Sequence, residues 1–189
     1  MVREAVTNLF ASTISELGGV FNRINDKDVD RACGMISEAK KIVVFGGGRE
    51  RLQIMGFAMR LFHLGLVVAV EGDMTTPPVG HGDLFIVTCG PGEISTALAL
   101  MGVAKAAGSK ILFITAQIQS RGAALADYVL QLPAQTMADD QVEKRSSVLP
   151  MGSLFEGALF VLFEVMILKL IVSLKVTAEA MRANHTNLE

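Results

Sequence analysis

The sequence predicts an α/β fold of three layers, with one parallel sheet of five strands covered on both faces by helices. Three observations carry this. Short apolar runs alternate with stretches of helical spacing between residues 40 and 132. Runs such as Ile42 to Phe45 and Leu84 to Val87 lack polar alternation, as expected of strands buried on both faces. Two runs end in glycine-rich turns, Gly46-Gly47-Gly48 and Cys89-Gly90-Pro91-Gly92, each followed by a helical stretch.

Taken in order, residues 1–21 read as an amphipathic helix, with Val2, Val6, Leu9, Phe10, Ile14 and Leu17 near helical spacing and Gly18 and Gly19 weakening its end. Asp26 to Ala39 reads as a second helix, carrying Val29, Ala32, Cys33 and Ile36. Strand one follows with its glycine turn, then a helix from Leu52 to Leu64 that stops at Gly65. Leu66 to Val70 is the second strand, leading into a loop marked by two prolines and two glycines. Leu84 to Val87 is the third strand, Ala97 to Ala107 a helix ended by Gly108, and Lys110 to Thr115 the fourth strand. A short helix over Gly122 to Ala126 and a strand over Tyr128 to Leu132 complete the alternation. The polar stretch Gln135 to Ser147 reads as a loop or lid, because too little chain follows for a second domain. A long apolar helix, Leu154 to Leu174, and a tail from Thr177 close the chain. The expected organisation is therefore one domain over 1–189, with helices in 1–39 before the sheet and a helix and tail in 151–189 after it.

Composition narrows the function. The chain has 189 residues, half of them apolar, and a net charge of −2 with no basic patch, which argues against nucleic acid as a partner. Cys33 and Cys89 match no zinc or redox spacing, so a reduced, cytoplasmic protein is expected. The N-terminus lacks the uninterrupted apolar core of a secretory signal. The 154–174 segment is long enough to span a bilayer, but Glu156, Glu164 and Lys169 would each cost about 3 kcal/mol at its middle. A core helix, buried further by a partner subunit, is the expectation, with no membrane partner. A helix apolar over more than one face also points to a homo-oligomer.

Right-handed crossovers place the strand C-termini along one edge, where open α/β sheets bind ligands. Glycine admits positive φ and close approach of a ligand, and the helix after each turn offers free N–H groups to an anion. Arg49 and Arg51 add charge at the first turn; Ser95 and Thr96 offer hydroxyls after the second, although helix capping explains them equally. Glu156 admits two roles. With Ser153 it spells a capping box, and among Leu154, Phe155 and Phe160 it is a carboxylate that burial would make a stronger base. By default His63 is a core histidine, His81 a surface-loop residue and His185 part of a solvated terminus. No cluster has metal-ligand spacing. Gly46-x-Gly48 with Glu71 or Asp73 partly fits a dinucleotide fingerprint, but Arg51 stands where that pattern wants a small residue.

Assembled, these pieces resemble the 6-phospho-3-hexuloisomerases, a sugar isomerase (SIS) domain family, over nearly the whole chain. The resemblance rests on the two glycine turns, Ala58-Met59-Arg60-Leu61 with His63-Leu64-Gly65, Gly72-Asp73-Met74-Thr75-Thr76-Pro77, Leu149-Pro150-Met151-Gly152-Ser153-Leu154-Phe155-Glu156, and His185-Thr186-Asn187-Leu188-Glu189. It implies a flavodoxin-like α/β/α sandwich, usually a tetramer, that interconverts 3-hexulose 6-phosphate and fructose 6-phosphate with no cofactor and no metal. By resemblance Glu156 is the base that carries a carbon proton through an enediol. His63 and His185 are acid/base candidates at oxygen or in ring opening, with His185 reaching a neighbouring subunit. The phosphate-binding set implied is Gly46, Gly47, Gly48, Arg49, Arg51, Thr75, Thr76, Cys89, Gly90, Gly92, Glu93, Ser95 and Thr96. The chain departs from the family twice: Glu50 follows Arg49 where serine is usual, and Cys89-Gly90-Pro91-Gly92 replaces Ser-Gly-Ser-Gly. Two hydroxyls and one backbone N–H are thereby missing, and Arg49, Arg51, Ser95 and Thr96 are the expected substitutes. Two other readings stay open at this point, a sugar-phosphate-binding module without turnover and a nucleotide-dependent enzyme.

Overall fold

The computed structural model describes residues 8–140 and 146–188. The expectations for Val2 and Val6, and for the middle of the polar stretch, lie outside those residues. Five parallel strands form one sheet: β1 (Ile42–Gly46), β2 (Val68–Val70), β3 (Leu84–Thr88), β4 (Lys110–Thr115) and β5 (Tyr128–Gln131). They lie in the order β2-β1-β3-β4-β5. The helices are α1 (Leu9–Phe21), α2 (Asp26–Glu38), α3 (Glu50–His63), α4 (Ser95–Ala106), α5 (Arg121–Leu125), α6 (Ser153–Leu174) and α7 (Ala178–Ala183).

Strand alternation builds two cores. Ile42 and Val44 of β1, with Ile86, Leu112 and Ile114, face the layer made by α2, α3 and α6. Val43 and Phe45, with Phe85, Val87, Ile111 and Phe113, face α4 and α5. The α6 helix lies at the centre of the first layer; its Phe163 stacks on Phe57 of α3 with ring centroids 4.3 Å apart. Lys169 of α6 holds Asp26 and Asp30 of α2 at 2.9 and 2.7 Å, so the charge that argued against a bilayer serves a helix seam.

α1 ends at Phe21, where the sequence reading ends it, and it runs unbroken through Gly18 and Gly19. Packing of Leu17 and the buried Val20 into the core outweighs the roughly 1 kcal/mol propensity cost of each glycine. Within the single chain α6 buries Leu154, Phe155, Leu159, Leu162 and Met166, whereas Phe160, Leu168 and Val172 are exposed on the other side. By length and composition it is long and apolar enough to cross a membrane, yet it is the central helix of this core. One element was not anticipated: the tail contains the short helix α7, capped by the Thr177 side chain accepting the Ala180 N–H at 3.1 Å.

The chain leaves β1 for β2 on one side and returns to β3 on the other. The C-terminal ends of β1 and β3 thus form the point where strand order reverses, the usual ligand crevice of such sheets.

Candidate active site

β1 and β3 are neighbours in register, with Gly46 beside Thr88, so the turns that follow them face each other. Gly46 has no room for a side chain: a Cβ there would come within 2.7 Å of the Thr88 hydroxyl. Gly47 faces Ile94, which precedes α4, and Gly90 is enclosed by Phe155, Thr136 and Glu50. The first turn of α6 and the chain before it supply the third wall. Together these segments enclose a cavity of about 150 Å³, lined among others by Gly47, Gly48, Arg49, Glu50, Phe155 and Glu156.

The Arg49 guanidinium spans the cavity mouth. Its Nε lies 3.3 Å from Glu156 Oε2, and its Nη1 donates to the Ser153 hydroxyl at 3.2 Å. The Glu156 side chain is 12% exposed. Burial pushes its carboxyl above the usual carboxylate range, and Arg49 opposes part of that rise. Glu50, the first residue of α3, is buried beneath the second turn, where its Oε1 accepts the Gly90 N–H at 2.9 Å. Burial pushes its carboxyl up to about 7; the Gly90 N–H and the nearby Thr88 hydroxyl lower it and the charge of Glu156 raises it. Cys89 is fully buried, with its thiol pushed up to about 12 by the same desolvation.

The capping box expected of Ser153 and Glu156 does not form. The residue that caps α6 is Gly152, at φ 84°, and its carbonyl accepts the Glu156 N–H at 3.1 Å. Ser153 is already helical, so its hydroxyl is left to Arg49 and the Glu156 carboxyl to the cavity.

Of the residues expected at the site, Gly47, Gly48, Arg49 and Glu156 line the cavity, and Gly46 and Gly90 shape its floor. Gly92 is held against Ser120, and the Glu93 carboxylate accepts the Arg121 N–H at 3.2 Å, which ties this turn to α5. Ser95 and Thr96 are exposed on the first turn of α4. Arg51 points to the end of β2, donating to the Glu71 carbonyl at 2.7 Å and pairing with its carboxylate at 3.7 Å. Those contacts engage the acidic residue that a dinucleotide site would have needed for its ribose. Thr76 donates to the Val70 and Asp73 carbonyls at 2.7 Å, closing the turn after β2, and Thr75 is exposed in the same loop.

His63 and His185 sit together, ring centroids 5.1 Å apart, and the Asn184 amide donates to the His63 carbonyl at 3.0 Å. They stand at the C-terminal end of α3, about 20 Å along the helix from Glu50, since each residue rises about 1.5 Å. Within one chain they do not join Glu156. Sequence reasoning missed Pro91, Ile94, Thr136, Met137, Met151 and Phe155 as lining residues. Phe155 had a usable signal, being one residue before the proposed base; Thr136 and Met137 lie in the polar stretch and carried none. Among the described residues no group of three or more His, Cys, Asp or Glu could hold a metal ion.

No family model matches the chain. A 3-hexulose-6-phosphate isomerase of Methylomonas aminofaciens is 36% identical over 93% of this chain and 96% of its own length. The enzyme of the same name from Bacillus subtilis is 31% identical over 97% and 98%. A crystal structure from Methanococcus jannaschii, from which a 3-hexulose-6-phosphate isomerase function was inferred, matches with a TM-score of 0.81 at 27% identity, covering 96% of this chain and 98% of that one. The sugar isomerase domain of an RpiR transcription factor from Sphaerobacter thermophilus matches with a TM-score of 0.71 at 19% identity, covering 93% of each chain. At that identity the likeness is one of fold.

Proposed function

The chain belongs to the 3-hexulose-6-phosphate isomerase family, and from that premise we propose that Glu156 is the base of an enediol isomerisation in the cavity between the two glycine turns. The protein is an enzyme, an isomerase of sugar phosphates with the SIS fold. Its substrate is 3-hexulose 6-phosphate and its product fructose 6-phosphate. Glu156 takes the proton from C2 and the C2–C3 enediol forms. The hydroxyl proton on O2 passes to O3, and Glu156 returns its proton to C3. All atoms are conserved and no electron acceptor is needed.

The observation that carries this reading is the position of Glu156. Its carboxyl faces the cavity, is free of any capping duty, and has its proton affinity raised by burial, as a carbon acid requires. The Arg49 guanidinium, 3.3 Å away, can stabilise negative charge developing on the enediol oxygens. The glycine turns, Arg49 and the start of α4 hold the phosphate.

Oxygen protons fall to His63 or His185 of a neighbouring subunit, since both lie at the far end of α3 within one chain. The assembly is a cytoplasmic homotetramer. Its support is the outer face of α3 and α6, where Leu52, Phe62, Phe160, Leu168 and Val172 are each more than half exposed.

Solvent deuterium appearing at the sugar carbon during turnover in D2O tests the enediol route. Glu156→Gln is expected to lower kcat about 100-fold to 10,000-fold with melting unchanged. Full activity in that variant would remove Glu156 from the chemistry.

A further inference from the structure

Glu50 holds an unusual position for an acid. Its Oε1 accepts the Gly90 N–H at 2.9 Å, at the turn where the substrate's phosphate is placed above. Its Oε2 is buried and has no hydrogen-bond partner among the described residues. The buried Thr88 hydroxyl stands beside the carboxyl without completing a bond to it. A phosphate seated at this turn therefore meets a protein carboxyl that already occupies a turn N–H, with one oxygen unsatisfied.

We propose that Glu50 makes sugar-phosphate binding proton-linked: the phosphate is accepted only with Glu50 protonated, one proton being taken from solvent with each ligand bound. The inference rests on the sugar-phosphate reading of this cavity. A phosphate dianion beside a carboxylate in a partly desolvated site is strongly repelled. Protonation removes that repulsion and turns Oε2 from an orphaned acceptor into an O–H donor, while Oε1 keeps the Gly90 N–H. The groups around Glu50 favour this. Burial raises its proton affinity, and Glu156 of α6 pushes the same way from across the cavity. Arg49, its neighbour in the turn, is engaged with Glu156 and Ser153, and Arg51 with Glu71. The Cys89 thiol, just after β3, is pushed to about 12 and stays neutral, and Glu93 faces α5. None of these cations is committed to Glu50.

The test is calorimetric binding of fructose 6-phosphate between about pH 6.5 and 8.5, a range bracketing the Glu50 value of about 7, in buffers of different ionisation enthalpy. Wild-type protein is expected to lose up to about tenfold in affinity per pH unit on the alkaline side, with one proton taken up. Glu50→Gln, neutral and of the same shape, is expected to bind with a flat profile, no uptake, and tighter affinity than wild type at the alkaline end. The phosphate's own titration near pH 6 is common to both proteins and cancels in the comparison. A flat wild-type profile, or an equal slope in Glu50→Gln, overturns the inference while leaving the isomerase reading in place. A pH indicator in weakly buffered solution measures the uptake on wild-type protein alone, so the outcome does not depend on the variant folding. No binding of fructose 6-phosphate by either protein at any pH overturns the reading of the cavity and the inference with it.

Discussion

Glu50 should be felt in stability as well as in binding. An unfolded glutamate titrates near 4.5, and in the folded protein this one is pushed to about 7. Below the unfolded value both states hold the proton. Between the two values the unfolded chain releases a proton that the folded chain keeps, so stability falls as pH rises. Above the folded value the loss is complete, about 3 kcal/mol for a shift of this size. Glutamine carries no such loss and can still accept the Gly90 N–H. Glu50→Gln is therefore expected to melt above wild type at about pH 8, with the difference closing toward the unfolded value of 4.5. A constant difference across that range would mean that the carboxyl does not titrate this way. Glu156 is raised by the same cause and should add to the trend.

The helix starts explain what could and could not be read from the sequence. The buried strands and the glycine stops at Gly65 and Gly108 were legible, because apolar runs and positive-φ glycines are local signals. The start of α6 could be read two ways because two local patterns compete there. Ser153-x-x-Glu156 looks like a capping box, but Gly152 takes the cap, and a Cβ on it would lie 2.7 Å from the Met137 N. That contact joins residues 15 positions apart in the chain and has no local signature. Gly152→Ala is expected to lower Tm by about 2–8 °C, from the roughly 1–2 kcal/mol cost of a left-handed alanine, and to reduce turnover by shifting Glu156. Ser153→Ala should leave Tm unchanged, because the serine caps nothing. A drop in Tm for Ser153→Ala with none for Gly152→Ala would restore the capping box. The lining residues Thr136 and Met137 were illegible for a related reason: the fold brings their loop to the cavity, and nothing in the polar stretch marks them.

For the molecule as a whole, α3 matters most as a spacer. It keeps the Glu156 cavity and the His63–His185 pair at opposite ends of one rigid rod. If each working site takes its base from one chain and its histidine from another, the consequence is genetic. Two alleles, one carrying Glu156→Gln and the other His185→Ala, would each be null alone yet complement each other in one cell. In two-fold-related pairs that assort at random, half are mixed, and each mixed pair has one site with both groups intact and one with neither. Co-expression should therefore recover about a quarter of wild-type activity, and sedimentation should find the two products in one assembly. Two nulls that stay null while co-assembling would place base and histidine in service of the same chain, and His185 would drop out of the reaction. A single copy of the Glu156→Gln allele beside a wild-type one would be recessive for the same reason, because every mixed pair still holds one intact site.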